Sequence, residues 1–451
     1  MSVAPAGWSS RVSLRSIGLS IGCTEGHEMS GGKIAPLKSL NPRFRELMQI
    51  DFAELDIHAG AAGAKMDWAD PFRSCPRVPS HVIDATKTAL DRGRTCYSLP
   101  IGSLALRRAV AARLHDENGI TADPLTEIII TPGSDAGLHH AIRAVLLPGD
   151  EVIVPEPSYP SNFGNTAIAG GTVVPMRLNA QNGYQIGIEQ LRGHVTSRSK
   201  LIILTQPNNP TGTIYNRSSL DAVREVAQSN GLYVIADQAF EANAFDGREV
   251  VSIASLPGMW DRTITLFSTS KAMGLSGFRV GYTAACRGLM QVLYNSAVLV
   301  LGAPNSFAQE GALAGLRNDR FIGEFNAIYD RRRRLLYEEL NAIPGVRMAL
   351  PEAGFMAWVD VSMLGSSRDV AEYIRKSAGI SVGDGRMYGP SGDGFLRIVY
   401  GAVGNDGHFE ESVASLGFAL RRIAAVRPAG RVGGLNMSEA MGCRVSDREA
   451  P

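Results

Sequence analysis

Long apolar runs are missing from this chain of 451 residues. The longest are short segments such as AVLVLGA at 297–303, well below the ~18 residues that a membrane-spanning helix needs, so no membrane partner is expected. A charge surplus is missing too. With 45 Lys and Arg against 44 Asp and Glu, the net charge is +1, and no overall field gathers nucleic acid or an anionic surface. Five cysteines, at 23, 75, 96, 286 and 443, form no CxxC pair and no disulfide-like spacing, which points to a reducing, cytoplasmic compartment. No GxGxxG follows a strand to open a helix, so a dinucleotide-binding reading lacks its key motif. Metal patterns are poor: His139 and His140 are adjacent, hence about 100° apart on a helix and badly placed to share one ion. The first 28 residues hold Arg and Ser but no uninterrupted apolar core, against a secretory signal, and Met29 is a second candidate start. No internal repeat is evident.

What is present is the composition of a soluble globular protein, 45% hydrophobic and 20% charged, long enough for two domains. Residues 1–45 and 427–451, rich in Gly, Ser, Ala and Arg without periodicity, are expected to be disordered tails. Between them the runs EIIIT, DEVIVPE, KLIILTQ, LYVIADQ and TITLFST alternate with helical patterns. That alternation predicts an α/β fold with a mostly parallel sheet covered on both faces. From about 325 the order changes to a long helix, VRMALPE, FMAWVDV, a helix over 368–378, and FLRIVYG, the pattern of a smaller α+β domain. The expected division is a segment 46–80 joining the small domain, a large domain 81–322 and a small domain 323–426. The RRRR run at 331–334, between AIYD and LLYEEL, reads as the solvated face of an amphipathic helix.

Several positions carry chemistry. In STSKAMGLSGFRVGY, Lys271 stands three residues after Ser268 and eight before Arg279, with glycines at 274, 277 and 281. A lysine that binds an aldehyde cofactor through its amine needs such a frame, because nearby hydroxyl and guanidinium groups must take the cofactor's phosphate. After the strand EIIIT, Leu138, Ala141, Ile142, Val145 and Leu146 mark one face of a helix starting near Ser134. Its free N–H groups and dipole make an anion site at Ser134, Asp135 and Ala136, and Asp135 also suits a helix start as a capping residue. Asp237 ends the strand LYVIAD, at the edge where open α/β sheets bind ligands. QPNNPTG, with Asn209, is good turn chemistry after KLIIL. Arg397 in FLRIVYG offers a planar fork for a carboxylate.

Together these motifs, over residues 50–425, resemble those of the fold-type-I pyridoxal-phosphate enzymes, class I/II aminotransferases of the aspartate aminotransferase superfamily. The resemblance implies a fold-type-I large domain over 81–322 that binds pyridoxal 5'-phosphate, and a homodimer. It implies that Lys271 holds the cofactor as a Schiff base, and that Ser134, Asp135, Ala136, Ser268 and Arg279 surround its phosphate. Position 135 is commonly neutral in the family, so the backbone there is the expected contact. Tyr159, in PSYP, would lie against the pyridine ring, Asn209 would meet its 3-oxygen, and Asp237 would pair with its protonated ring nitrogen. TCYSLPIGSLALRR matches the family's Y-x4-G-x3-LR signature at Tyr97, Gly102, Leu106 and Arg107, the tyrosine serving the neighbouring subunit's cofactor. Arg397 would grip the substrate's α-carboxylate, with Gly60 in DIHAGAAG lining that side, although the usual Gly-x-Gly-x-Pro-Asp style is absent there. Phe240 stands where the family usually has a tyrosine, so one hydroxyl toward the 3-oxygen is missing.

The expected reaction is transfer of an amino group between an α-amino acid and a 2-oxo acid. The alternative is a non-transaminating enzyme of the same fold type (lyase, cyclase or oxidative). A transcription regulator with a similar effector domain would need a winged-helix module ahead of the motifs, and roughly 45 unpatterned residues are too few for one. The apolar stretch AVLVLGAP before Asn305 offers no arginine for a side-chain carboxylate, against a dedicated dicarboxylate enzyme, with Lys65 and Arg386 as candidates to compensate.

Overall fold

The computed structural model describes residues 64–70 and 78–426. All of these residues belong to one compact unit. The expected tails, and Gly60, lie outside the described residues.

Two sheets organise this unit. The strands are β1 (Lys65–Met66), β2 (Ile128–Thr131), β3 (Glu151–Glu156), β4 (Thr172–Arg177), β5 (Ser199–Thr205), β6 (Tyr233–Asp237), β7 (Thr263–Ser268), β8 (Gly281–Ala284), β9 (Arg347–Met348), β10 (Met356–Asp360), β11 (Ser381–Asp384) and β12 (Phe395–Val399). Seven of them form one sheet in the order β2-β8-β7-β6-β5-β3-β4. It is parallel except for β8, which runs antiparallel to both β2 and β7. Ile128, Ile129, Val152, Ile153, Ile202, Ile203, Val234 and Ile235 are almost fully buried, as β-branched strands covered on two faces should be. The other sheet, β1-β11-β12-β10-β9, is antiparallel apart from the β1–β11 pair.

The helix Ser134–Val145 buries Leu138, Ala141, Ile142 and Val145, the face its spacing predicts. Gly137 also faces the sheet, where a Cβ would come within 2.8 Å of Thr283 Oγ1, so glycine lets the helix settle closely on β7 and β8. Two strands escape the sequence pattern. β4 contains Pro175 and is accordingly an edge strand, and β8 is only GYTA, inside the lysine motif.

The arginine run is not a solvated face. In the helix Phe321–Asn341, Arg332 and Arg333 are buried. Arg333 Nη2 lies 2.8 Å from both carboxylate oxygens of Asp246, its Nη1 donates to Pro351 O at 2.9 Å, and its guanidinium lies 4.3 Å from the Phe245 ring centroid. Arg332 donates to Asp406 and to the carbonyls of Val403 and Gly404. Only Arg331 and Arg334 keep exposed side chains. Successive helical positions differ by about 100°, so four adjacent arginines cannot all point to solvent.

Candidate active site

The sheet's C-terminal edge brings the sequence motifs together. Thr131 at the end of β2 pairs with Gly281, and Gly281 pairs on its other side with Ser268 at the end of β7. A Cβ on Gly281 would lie 2.7 Å from both the Gly133 carbonyl carbon and the Ser134 nitrogen. Glycine is therefore what allows β8 to touch the start of the helix Ser134–Val145. Gly133, with φ 83°, is cleared in the same way for Arg279, whose Nη2 would sit 2.3 Å from a Cβ there. Arg279 itself adopts a left-handed backbone (φ 53°, ψ 52°), an uncommon state for a non-glycine residue. It donates from Nη1 to Ser276 O at 2.9 Å and from Nη2 to Pro132 O at 3.3 Å. The result is a cradle of helix N–H groups, one guanidinium and the Ser268 hydroxyl, the donor set for a phosphate.

Lys271 follows on the short helix Thr269–Ala272, capped by Ser268, whose Oγ accepts from Ser270 N at 3.1 Å. Its Nζ donates to Ala69 O at 2.9 Å and stands 5.9 Å from the Phe240 ring centroid. Burial pushes the amine down to about 8; Arg397 pushes the same way, while Asp135, Asp70 and Asp237 oppose. Asp237 is buried at the end of β6, and its Oδ1 accepts from Ala239 N at 3.1 Å. Burial, then the nearby Asp135 carboxylate, push its carboxyl up to about 7 against the Ala239 amide and Lys271. Such opposed shifts, an amine made less basic beside an acid made less acidic, mark functional sites more often than structural ones. Tyr159 caps the helix Pro160–Ala169, and its hydroxyl donates to Asp135 Oδ2 at 3.3 Å. Burial holds that phenol well above its ordinary pKa.

The far side of the site belongs to the five-stranded sheet. Arg397 on β12 pairs with Trp358 of β10 and with Gly383 of β11. Its Nη1 donates to Asn209 Oδ1 at 3.3 Å and its Nη2 to Asp67 O at 2.5 Å. The guanidinium lies 5.0 Å from the Tyr388 ring centroid. Its Nε is buried and has no partner among the described residues, a donor held ready for an acceptor from outside the chain. Asn209 is buried in a turn that Asn208 braces, its Oδ1 accepting from Thr211 N and Oγ1 at 3.2 and 2.9 Å. Gly212 O in the same turn accepts from the amides of Glu352 and Ala353, so the turn also anchors the chain that leads into β10.

Residues 71–416 match the family model for aminotransferases of class I and II. The chain belongs to that family. Over 327 residues it is 33% identical to aromatic-amino-acid aminotransferase 2 of Thermococcus litoralis, covering 72% of this chain and 84% of the relative. It is 32% identical to an aspartate aminotransferase of Pyrococcus abyssi, with the same coverage. The solved aromatic aminotransferase of Pyrococcus horikoshii superposes with a TM-score of 0.76 at 29% identity, over 82% of this chain and 98% of that one. The fold is thus that of the fold-type-I enzymes, and this aminotransferase carries the family's reaction, amino-group exchange between amino and oxo acids.

In this aminotransferase Asn209, Asp237, Phe240, Ser268 and Arg279 lie on loops and strand ends, Ser134, Asp135, Ala136, Tyr159 and Lys271 at or in the first turns of helices, and Arg397 within β12. Phe240 is buried edge-on against Phe355, ring centroids 5.3 Å apart. Tyr97 stands apart on the loop before the helix Leu104–Asn118, 96% exposed. Arg386 is tied to Asp384, with Nε 3.1 Å from each carboxylate oxygen and Nη2 2.5 Å from Oδ2. Residues 67–70 were not singled out in the sequence. Their contribution is through main-chain carbonyls, which leave no side-chain signature in the sequence; the parallel pairing of β1 with β11 beside Arg397's strand brings them to the site. Tyr388 and Trp358 were also missed, since neither falls in a spaced motif. Among the described residues no group of metal-ligating side chains occurs, and no helix is long and apolar enough to cross a membrane.

Proposed function

We propose that Lys271 carries pyridoxal 5'-phosphate and that the two substrates, an α-amino acid and a 2-oxo acid, take turns on Arg397. The observation that carries this reading is the Lys271 amine, lowered to about 8, beside the buried Asp237 carboxyl and next to the Arg279 cradle. The glycine-cleared cradle fits a phosphate, and a buried acid with no cation bonded to it among the described residues fits a protonated ring nitrogen. When bound, the cofactor supplies an electron sink for the charge left on the substrate's Cα after proton loss.

The chain's own residues do the rest. The amides at Ser134, Asp135 and Ala136, with Ser268 and Arg279, hold the phosphate. Asp237 would keep a proton on the ring nitrogen, Tyr159 would lie against the ring, and Asn209 would meet the 3-oxygen. Arg397 binds the α-carboxylate with its fork, the unpartnered Nε becoming satisfied. Lys271 would take the proton from the substrate's Cα as a positioned base, its amine lowered by burial to about 8. A second copy of the chain is proposed to complete each site through Tyr97, and the exposed apolar side chains of Tyr97, Leu99, Leu299 and Val300 support such a partner. The free thiols of Cys96 and Cys286 fit a cytoplasmic location.

Reconstitution tests the reading. Protein loaded with pyridoxal 5'-phosphate is expected to absorb in the visible and to lose that band stoichiometrically when an amino acid is added without an oxo acid. Lys271→Ala is expected to lose the band and at least about a thousandfold in turnover. Full transaminase activity in Lys271→Ala would overturn the assignment.

A further inference from the structure

Residues 67–70 run between the two groups that an amino acid must bridge. The Asp67 carbonyl accepts from Arg397 Nη2 at 2.5 Å, and the Ala69 carbonyl accepts from Lys271 Nζ at 2.9 Å. Trp68 is the one residue between these carbonyls. Its side chain is 71% exposed, whereas Arg397, Asn209, Asp237 and Phe240 of the site are buried. With a carboxylate on Arg397 and a nitrogen at Lys271, the substrate's Cα lies between the two, and its side chain leaves from there. Trp68 is the residue whose backbone passes that point, and its ring is not buried against the protein.

Charge narrows the class of side chain. Asp67 and Asp70 flank Trp68, half-buried, each engaged through a single hydroxyl: Ser381 Oγ donates to Asp67 Oδ1 at 3.0 Å and Ser276 Oγ to Asp70 Oδ1 at 2.9 Å. Of the two candidate counter-cations, Lys65 and Arg386, the second is already held by Asp384. An indole face favours aromatic rings and cations, and neighbouring carboxylates favour cations further while repelling anions.

We infer that Trp68 is a specificity-determining residue, selecting amino donors with a large aromatic or cationic side chain over dicarboxylic ones. The inference rests on the reading of Arg397 and Lys271 given above and extends it to the substrate's side chain.

Two measurements test it. On the cofactor-loaded enzyme, kcat/KM is compared for phenylalanine, arginine, alanine and aspartate with one 2-oxo acid as acceptor. Phenylalanine and arginine are expected to exceed aspartate. In Trp68→Ala the preference for phenylalanine over alanine is expected to fall about tenfold, and Trp68→Phe to retain most of it. An equal loss with every donor would mean a merely structural role, and a native preference for aspartate would overturn the inference outright. The second measurement needs no turnover: calorimetric titration of the loaded enzyme with 3-phenylpropanoate, an unreactive carboxylate. Binding is expected to weaken about tenfold in Trp68→Ala and to disappear in Arg397→Ala. If the protein binds it in this way yet does not transaminate, the proposed reaction fails and the role of Trp68 stands. Binding that Trp68→Ala leaves unchanged sinks the role of Trp68 alone.

Discussion

The proposed phosphate end of the site is drawn from two short pieces of chain joined through one strand register, while the proposed carboxylate end is gathered from three distant ones. Ser268, Lys271, Arg279 and Gly281 fall within one motif, and the helix start at Ser134 reaches them through a single strand register, Thr131 to Gly281 to Ser268. Arg397 instead depends on Asn209, on the Asp67 carbonyl and on the Tyr388 ring. A local end can be fixed by glycines and caps, whose effect does not depend on distant packing. A gathered end depends on the two sheets being correctly placed, and so should be the more sensitive to domain geometry. Binding of a substrate carboxylate also has to displace contacts there, because two of Arg397's donors are already bonded within the chain.

The sharpest way to separate the two ends is Arg397→Ala. Loss of a buried, charge-assisted bidentate contact costs about 4 kcal/mol, so kcat/KM for amino acids is expected to fall roughly a thousandfold. The affinity for pyridoxal 5'-phosphate, followed by absorbance titration, should change little. If cofactor affinity fell in parallel, the two ends would be one energetic unit and the contrast between them would be wrong. Arg397→Lys is expected to rescue only part of the loss, since an ammonium cannot present the planar fork.

A second test addresses the phosphate end through Asp237. Its carboxyl in the folded, cofactor-free protein is raised to about 7 from an ordinary value of 3.8. The folded state therefore binds the proton more tightly than the unfolded chain. That contribution to stability is fully present below about pH 4 and is lost as pH rises through 7, amounting to at most roughly 4 kcal/mol. The melting temperature of cofactor-free protein should fall between pH 5 and 7.5 by more in the native chain than in Asp237→Asn. Parallel profiles would mean that Asp237 is not buried as an acid.

Arg333 links the ends. It joins the helix Phe321–Asn341 to Asp246, at the close of the loop that starts at Asp237 and carries Phe240. Arg333→Ala deletes a buried guanidinium with its bonds to Asp246, Asp330 and the Pro351 carbonyl and its contact with the Phe245 ring, so it is expected to destabilise the protein by about 3 kcal/mol even though Asp246 keeps Arg334 as a partner. Arg331→Ala, whose guanidinium is largely exposed beside Asp406, should cost under about 1 kcal/mol. Chemical denaturation of the two variants checks the difference. Equal costs would restore the solvated-face reading of the arginine run.

That run shows what kind of information the sequence carries. Lys271 and Arg279 were legible as neighbours because their placement follows from spacing within one turn and one strand, and Ser134 because a helix start is a local event. Adjacent arginines are uniform in sequence and become different only when one side of the helix meets Asp246 and Asp406. Strand β8 was hidden for a similar reason: GYTA has little β character alone and is a strand because β2 and β7 pair with it on both sides. The carbonyls of Asp67 and Ala69 could not be read at all, since any residue supplies a carbonyl. Only the register of β1 on β11 brings these to Arg397 and Lys271.

The smallest expected effect lies where the two ends meet, at Phe240. Its ring is edge-on to Phe355 and 5.9 Å from Lys271 Nζ, and it brings no hydroxyl toward the place where Asn209 is proposed to meet the cofactor's 3-oxygen. A hydroxyl donating to that oxygen would stabilise its negative charge and so weaken the hold of the Lys271 nitrogen on its proton. Phe240→Tyr is therefore expected to shift the pH midpoint of the loaded protein's visible absorbance downward, by about one unit for each ~1.4 kcal/mol that the new hydrogen bond contributes. The ring itself can be kept, because phenylalanine and tyrosine differ by one oxygen and the edge-on contact with Phe355 survives the change. Thermal stability should stay close to native, which separates a lost packing contact from a gained hydrogen bond. Superimposable titrations of the two proteins would show that position 240 does not face the 3-oxygen, and Asn209 would then have to be reconsidered as its partner.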